Sequence, residues 1–132
     1  MGSEVVLDTH ALYHAVESPG ELTAAGRALV EDPANELLIS AITVWEFGLH
    51  AQHGKIRFSG GVDMWVDAAL ASIGVRVVPI DVYILRQTFN LPGFDRKDPA
   101  DRIITATAIM EGAVLVTRDE WIVRWPGVRT VW

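Results

Sequence analysis

Lys97-Asp98-Pro99-Ala100-Asp101-Arg102-Ile103-Ile104-Thr105-Ala106-Thr107-Ala108 is the stretch whose reading decides the fold. Asp98 is a good N-cap, and Pro99 stands at the first helical position, where its missing N–H costs nothing. The Ile, Ala and Thr residues that follow carry the helix to Gly112, a C-terminal stop. Asp101 is the odd member, a carboxylate opening an otherwise apolar helix on the stripe it shares with Thr105 and Ala108. Either it bonds back to the helix start as in a capping box, or it belongs with carboxylates brought from elsewhere in the chain.

Working outward, the strand Ala113–Val116 follows this helix, then the turn Thr117-Arg118-Asp119, a short segment with Trp121 and Val123, and a last strand over Val128–Val131. Upstream, Val5-Val6-Leu7 is a first buried strand ending in Asp8-Thr9-His10, with a short helix through Ala11–Val16. A second helix is predicted over Glu21–Glu31, with Leu22, Ala25, Leu29 and Val30 inward. Leu37-Leu38-Ile39 is another buried strand. Ser40 caps a helix from Ala41 to about His53, whose core stripe is expected to be Ile42, Trp45 and Leu49. Val62, Trp65, Val66, Ala69, Leu70 and Ile73 show the cleanest helical period, stopped at Gly74. Val75–Ile80 reads as a strand, and Asp81 caps a helix containing Ile84, Leu85 and Phe89. Most strands are continuously apolar and alternate with helices, the pattern of a mainly parallel sheet covered on both faces.

Composition bounds the function. The 132 residues make a single domain, 1–132, with 50% hydrophobic and 21% charged residues and no repeat or low-complexity segment. No apolar run is long enough to cross a bilayer, and no basic leader precedes the first strand, so a cytoplasmic protein without a membrane partner is expected. The chain has no cysteine, which excludes disulfides, thiolate zinc sites and cysteine nucleophiles. A net charge of −6 argues against a passive basic module on nucleic acid, so any nucleic-acid partner requires a local basic patch or a bound cation. The five tryptophans suggest extensive apolar packing and an oligomer surface.

Four acids fall where one site can form. Ligands of open α/β sheets bind beyond the C-terminal ends of the strands. Asp8 follows the first strand, Asp119 lies past the strand ending at Val116, Asp101 begins the helix feeding that strand, and Glu46 sits early in the helix after Ile39. Taken singly, Asp8 is also a helix cap, Asp119 a turn or cap residue, and Glu46 a structural acid. Glu46 adjoins Trp45 and Phe47 and has no Arg or Lys within a turn, so burial leaves it in need of a partner. Four clustered carboxylates repel one another unless a cation intervenes, and Mg²⁺ or Mn²⁺ suits all-oxygen ligands. Such an ion activates water and stabilises the leaving oxygen of a phosphodiester.

The segments Leu7-Asp8-Thr9-His10-Ala11-Leu12, Ile39-Ser40-Ala41-Ile42-Thr43-Val44-Trp45-Glu46, Asp98-Pro99-Ala100-Asp101-Arg102-Ile103-Ile104 and Val116-Thr117-Arg118-Asp119 occur in an order that resembles PIN domains, specifically the VapC-type toxin ribonucleases. The resemblance spans nearly the whole chain. It implies a three-layer α/β/α sandwich around a mainly parallel sheet. It also implies Mg²⁺- or Mn²⁺-dependent endoribonuclease activity as the toxin of a type II toxin–antitoxin pair, leaving a 5′-phosphate and a 3′-hydroxyl. RNA substrate, a cognate VapB-type antitoxin and a homodimer are the implied partners. Asp8, Glu46, Asp101 and Asp119 take the places of the acidic quartet as catalytic and metal-holding residues. Thr117, Asp98 and Thr9 stand as supporting residues.

Arg96, Lys97, Arg102 and Arg118 lie close in sequence to these acids and are either phosphate contacts or solvated loop charges. His10, His14, His50 and His53 lack metalloprotease spacing, and packing or surface roles suit them. An aspartyl-phosphate mechanism at Asp8 calls for a second Asp two residues on, where this chain has His10. The alternative to an enzyme is a non-catalytic PIN-like scaffold that binds a partner protein.

Overall fold

The computed structural model describes residues 2–132. Strands Glu4–Leu7 (β1), Glu36–Ser40 (β2), Arg76–Val78 (β3), Val114–Val116 (β4) and Thr130–Val131 (β5) form one sheet in the order β3-β2-β1-β4-β5, every pair parallel. The helices are Thr9–Glu17 (α1), Ala24–Glu31 (α2), Ala41–Gln52 (α3), Val62–Ile73 (α4), Val82–Gln87 (α5), Pro99–Glu111 (α6) and Glu120–Arg124 (α7). The continuous apolar strands resolve into two faces by the two-residue period of the pleat. Val5, Leu7, Leu37, Ile39, Val114 and Val116 pack under α1, α3 and α4 through Leu12, Phe47 and Trp65. Val6, Leu38 and Leu115 face the other way, against Ile84 of α5, Ile104 of α6 and Ile122 of α7. The architecture is an α/β/α sandwich about a wholly parallel sheet.

The helix that decided the reading runs as its caps dictate. Asp98 accepts from the Asp101 amide, Pro99 opens α6, and Gly112 closes it in the left-handed conformation at φ 63°. Gly74 ends α4 in the same way.

The structure corrects several of these expectations. The segment Glu21–Glu31 breaks into a 3₁₀ turn, Pro19–Glu21, and then α2, because Thr23 caps a new start by accepting from the Gly26 amide. Ala25 faces solvent in consequence, and Gly26 is the buried position. In α3 the buried line is Thr43 and Phe47, while Trp45 is 58% exposed. That helix is apolar nearly all round, so periodicity alone does not choose its inward face. The strand expected over Val75–Ile80 shortens to β3, and the one over Val128–Val131 to β5. Phe89 lies beyond the end of α5 and is 87% exposed, and Leu85 is also exposed. Among the described residues no helix is long and apolar enough to cross a membrane.

Candidate active site

Asp8, Asp101 and Asp119 are placed by the end of a strand or the start of a helix, and Glu46 by the middle of α3. Asp8 continues β1, where its amide donates to the Val116 carbonyl of β4 (3.1 Å), and its Oδ1 accepts from the Ala11 amide at 2.8 Å to cap α1. Only 8% of it is exposed. Burial pushes the Asp8 carboxyl above its ordinary range, and the Thr117 hydroxyl and Ala11 amide oppose that rise. Asp119 caps α7, its Oδ1 accepting from the Trp121 and Ile122 amides at 3.0 and 3.2 Å, while its own amide donates to Thr117 Oγ1. Thr117 is buried and steadies both Asp8 and Asp119.

Glu46 projects from α3 with Thr9 as its partner: the Thr9 hydroxyl donates to Glu46 Oε1 at 2.5 Å and lies 3.2 Å from Thr43 Oγ1. Burial raises the Glu46 pKa, the Thr9 bond lowers it, and the nearby charges of Asp101 and Asp98 raise it further. Asp101 does not bond back as in a capping box. Its Oδ2 accepts from Arg96 Nε at 2.8 Å. Burial is again the main cause of a raised pKa at Asp101, opposed by Arg96 and reinforced by Asp119 and Asp98.

These side chains line one cleft of about 370 Å³ at the C-terminal edge of the sheet, with Thr9, His10, His50, Arg96, Asp98, Ile104 and Arg118. Asp8, Glu46, Asp101 and Asp119 therefore meet, although they are scattered over the chain. The sequence model of the PIN domain family matches residues 5–126. This chain belongs to the PIN domain family. Ribonuclease VapC22 of Mycobacterium tuberculosis is 35% identical to it over 130 residues, which cover 97% of this chain and 98% of that protein. Among solved structures, VapBC2 from Rickettsia felis bound to a DNA fragment from its promoter matches with a TM-score of 0.72 at 18% identity over 96% of each chain. VapC20 of M. tuberculosis, described as a sarcin-ricin loop cleaving toxin, matches at 0.59 and 16% identity over 95% of this chain and 98% of that one. At such identities these two structures support the fold alone.

The PIN domain's cleft is chemically suited to a hard divalent cation. Its donors are carboxylate and hydroxyl oxygens, and a cationic side chain, Arg96, already stands between two of the acids. Among the described residues no three acidic or histidine side chains are gathered closely enough to enclose an ion by themselves. A larger hollow of about 520 Å³ opens at the opposite edge of the sheet, by Asn35, Leu37 and Gly74. Its two acids are engaged elsewhere: Glu31 pairs with Arg27 on an exposed helix surface, and Asp32 accepts from the Ala34 amide.

The basic candidates separate. Arg102 is corrected from a phosphate contact to a loop clamp. It donates to the carbonyls of Thr88, Phe94 and Arg96 and lies over the Phe94 ring, away from the cleft. Lys97 is exposed and outside the cleft wall. Arg118 lines the cleft while stacking on Trp132, its guanidinium carbon 4.6 Å from the ring centroid. His10 and His50 sit side by side on the wall, ring centroids 5.9 Å apart. Thr43 escaped sequence reasoning; the only signal for it was its place one turn before Glu46 on a helix. Arg96 was visible as a basic residue near the acids, but not as their ion-pair partner.

Proposed function

We propose that this chain is a divalent-metal-dependent endoribonuclease, the toxin of a type II toxin–antitoxin pair, working as one domain in the cytoplasm. Family membership and the relatedness to a VapC ribonuclease support the activity. The observation that carries the assignment of residues is the single cleft that Asp8, Glu46, Asp101 and Asp119 line together at the sheet edge. PIN-domain nucleases generally use a divalent metal, and Mg²⁺ or Mn²⁺ is the ion proposed here. When bound, it supplies Lewis-acid charge to the phosphodiester and its leaving oxygen.

The chain's own residues do the rest. Asp8, Asp101 and Asp119 are the carboxylates that would hold the cation, with waters and substrate oxygens completing its shell. The Asp8 and Asp119 caps fix those carboxyls to helix amides, so little orientation is lost on binding. Thr9 fixes Oε1 of Glu46 and leaves Oε2 to orient the attacking water and accept its proton. Arg118 at the cleft wall is the basic side chain best placed to meet the RNA backbone.

A VapB-type antitoxin is the proposed protein partner, and a homodimer the proposed assembly. An apolar groove of about 480 Å³, lined by Ile42, Trp45, Leu49, Ile80 and Pro99, opens beside Glu46 and Asp98. A partner seated there would cover Glu46 and Asp98. Cleavage of RNA with Mg²⁺ or Mn²⁺ tests the activity, comparing the wild type with Asp8→Asn and Asp101→Asn. Loss of cleavage in both variants and with EDTA is expected. Activity surviving either treatment rules the mechanism out, and a chain that neither cleaves nor binds Mn²⁺ is a scaffold.

A further inference from the structure

The cleft contains a cation of the chain's own. Arg96 lies in the loop between α5 and α6, with Nε 2.8 Å from Asp101 Oδ2 and Nη2 3.6 Å from Asp119 Oδ2. Among the described residues it is the only basic side chain in an ion pair with the cleft acids. Arg118, the other arginine on the wall, stacks on Trp132 instead. The Arg96 backbone is held by Arg102, whose Nη1 donates to its carbonyl at 2.9 Å. The freedom at this position therefore belongs to the side chain.

We propose that Arg96 is a displaceable internal counter-ion, its guanidinium standing between Asp101 and Asp119 where a divalent cation binds and competing with that cation for both acids. This rests on the metal-dependent reading above. The geometry allows exchange. One charge-assisted hydrogen bond and one longer contact replace the two parallel bonds of a full arginine–carboxylate fork. The Arg96 side chain is 33% exposed, so water screens the pair and takes up the released guanidinium. A divalent ion brings twice the charge and approaches carboxylate oxygens to about 2.1 Å.

The chemistry makes the exchange consequential. A guanidinium stays protonated at every physiological pH and offers donors only, so it neutralises acids without activating water. With Arg96 in place, the repulsion between Asp101 and Asp119 is offset and the protein is stable but idle. Losing the arginine then has two opposite effects: metal affinity rises and metal-free stability falls. A merely structural residue moves metal affinity the other way, because a loosened loop disorders the ligands.

Calorimetric titration of Mn²⁺ into the full chain without RNA, for wild type, Arg96→Gln and Arg96→Lys, reads this directly. The expected result is an affinity about 10-fold tighter in Arg96→Gln, within the usual 5- to 150-fold span of coupled sites, with Arg96→Lys between. Arg96→Gln should also melt at lower temperature without metal and gain more from saturating Mn²⁺. In the wild type, the proton NMR signal of Arg96 Nε–H should leave its hydrogen-bonded position as Mg²⁺ saturates the site, a readout that needs no variant to fold. Unchanged or weaker Mn²⁺ binding by a folded Arg96→Gln chain, or an Nε–H signal unmoved by saturating Mg²⁺, overturns the proposal and leaves the metal reading intact. Absence of Mn²⁺ binding in all three chains overturns both.

Discussion

At Asp8 the helix cap and the cleft acid are the same carboxyl, and the two roles can be pulled apart by one atom. Asp8→Asn keeps an oxygen for the Ala11 amide and removes the buried charge. The metal-free variant is expected to be more stable by about 1 kcal/mol, about 3 °C in Tm, while RNA cleavage falls about 100-fold. The pH sign follows from the raised pKa. The folded protein takes up a proton at Asp8 at a pH where the unfolded chain does not, so the cost of the charge is full only above the folded pKa. It shrinks as pH falls from the folded value toward the lower unfolded one, and the calorimetric gap between variant and wild type should narrow on acidification. At Thr9 the expected effect is kinetic. Thr9→Val removes the hydroxyl that lowers the Glu46 pKa, so the acid limb of the kcat/KM profile should move to higher pH. Cleavage at neutral pH should fall about 10-fold, within the range for a positioned proton acceptor. Asp8, Asp101 and Asp119 were legible in the sequence because each follows a strand or opens a helix, and Glu46 because it is an acid among apolar neighbours with no Arg or Lys within a turn. That Thr9, one of the supporting residues, is the partner of Glu46 was not, since a hydroxyl 37 residues away leaves no local mark.

Among the elements, α6 and α3 show why some readings succeed and others fail. The ends of α6 are set by Asp98, Pro99 and Gly112, whose chemistry acts within a turn and is visible in any window of sequence. The face of α3 depends on what lies opposite, and a helix apolar on all sides offers no contrast. Trp45 consequently turned out to be a surface residue and Phe47 a core one. Trp45→Ala should leave Tm within about 1 °C, as expected for an exposed site, yet weaken co-purification with the cognate antitoxin. An unchanged yield of the complex would remove the apolar groove from the partner interface. The loop before α6 carries the other lesson. Arg102 beside Asp101 has the same appearance in sequence whether it meets phosphate or carbonyl oxygen. Arg102→Met leaves the carbonyls of Thr88, Phe94 and Arg96 short of a donor and should cost about 2 kcal/mol in denaturant unfolding. A phosphate contact would instead raise KM with no change in stability.

For the whole molecule, the parallel sheet and its two cores were readable from the run of apolar strands, and the order of its strands was not. Pairing β1 with both β2 and β4 is a long-range choice, made by which faces bury together. Leu115, in the middle of β4, has no exposed surface and packs against α6 and α7. Leu115→Ala should destabilise the chain by about 3 kcal/mol and lower activity only in proportion to the unfolded fraction.

The strand order also bears on synthesis. β1 is the middle strand of the sheet, yet it is made before the other four and must wait for β4 before both its edges are paired. Asp119, three residues past the end of β4, arrives later still. A nascent chain therefore carries Asp8 and Glu46 without the acids that complete the cleft, and no cutting edge exists until the segment after β4 has been made.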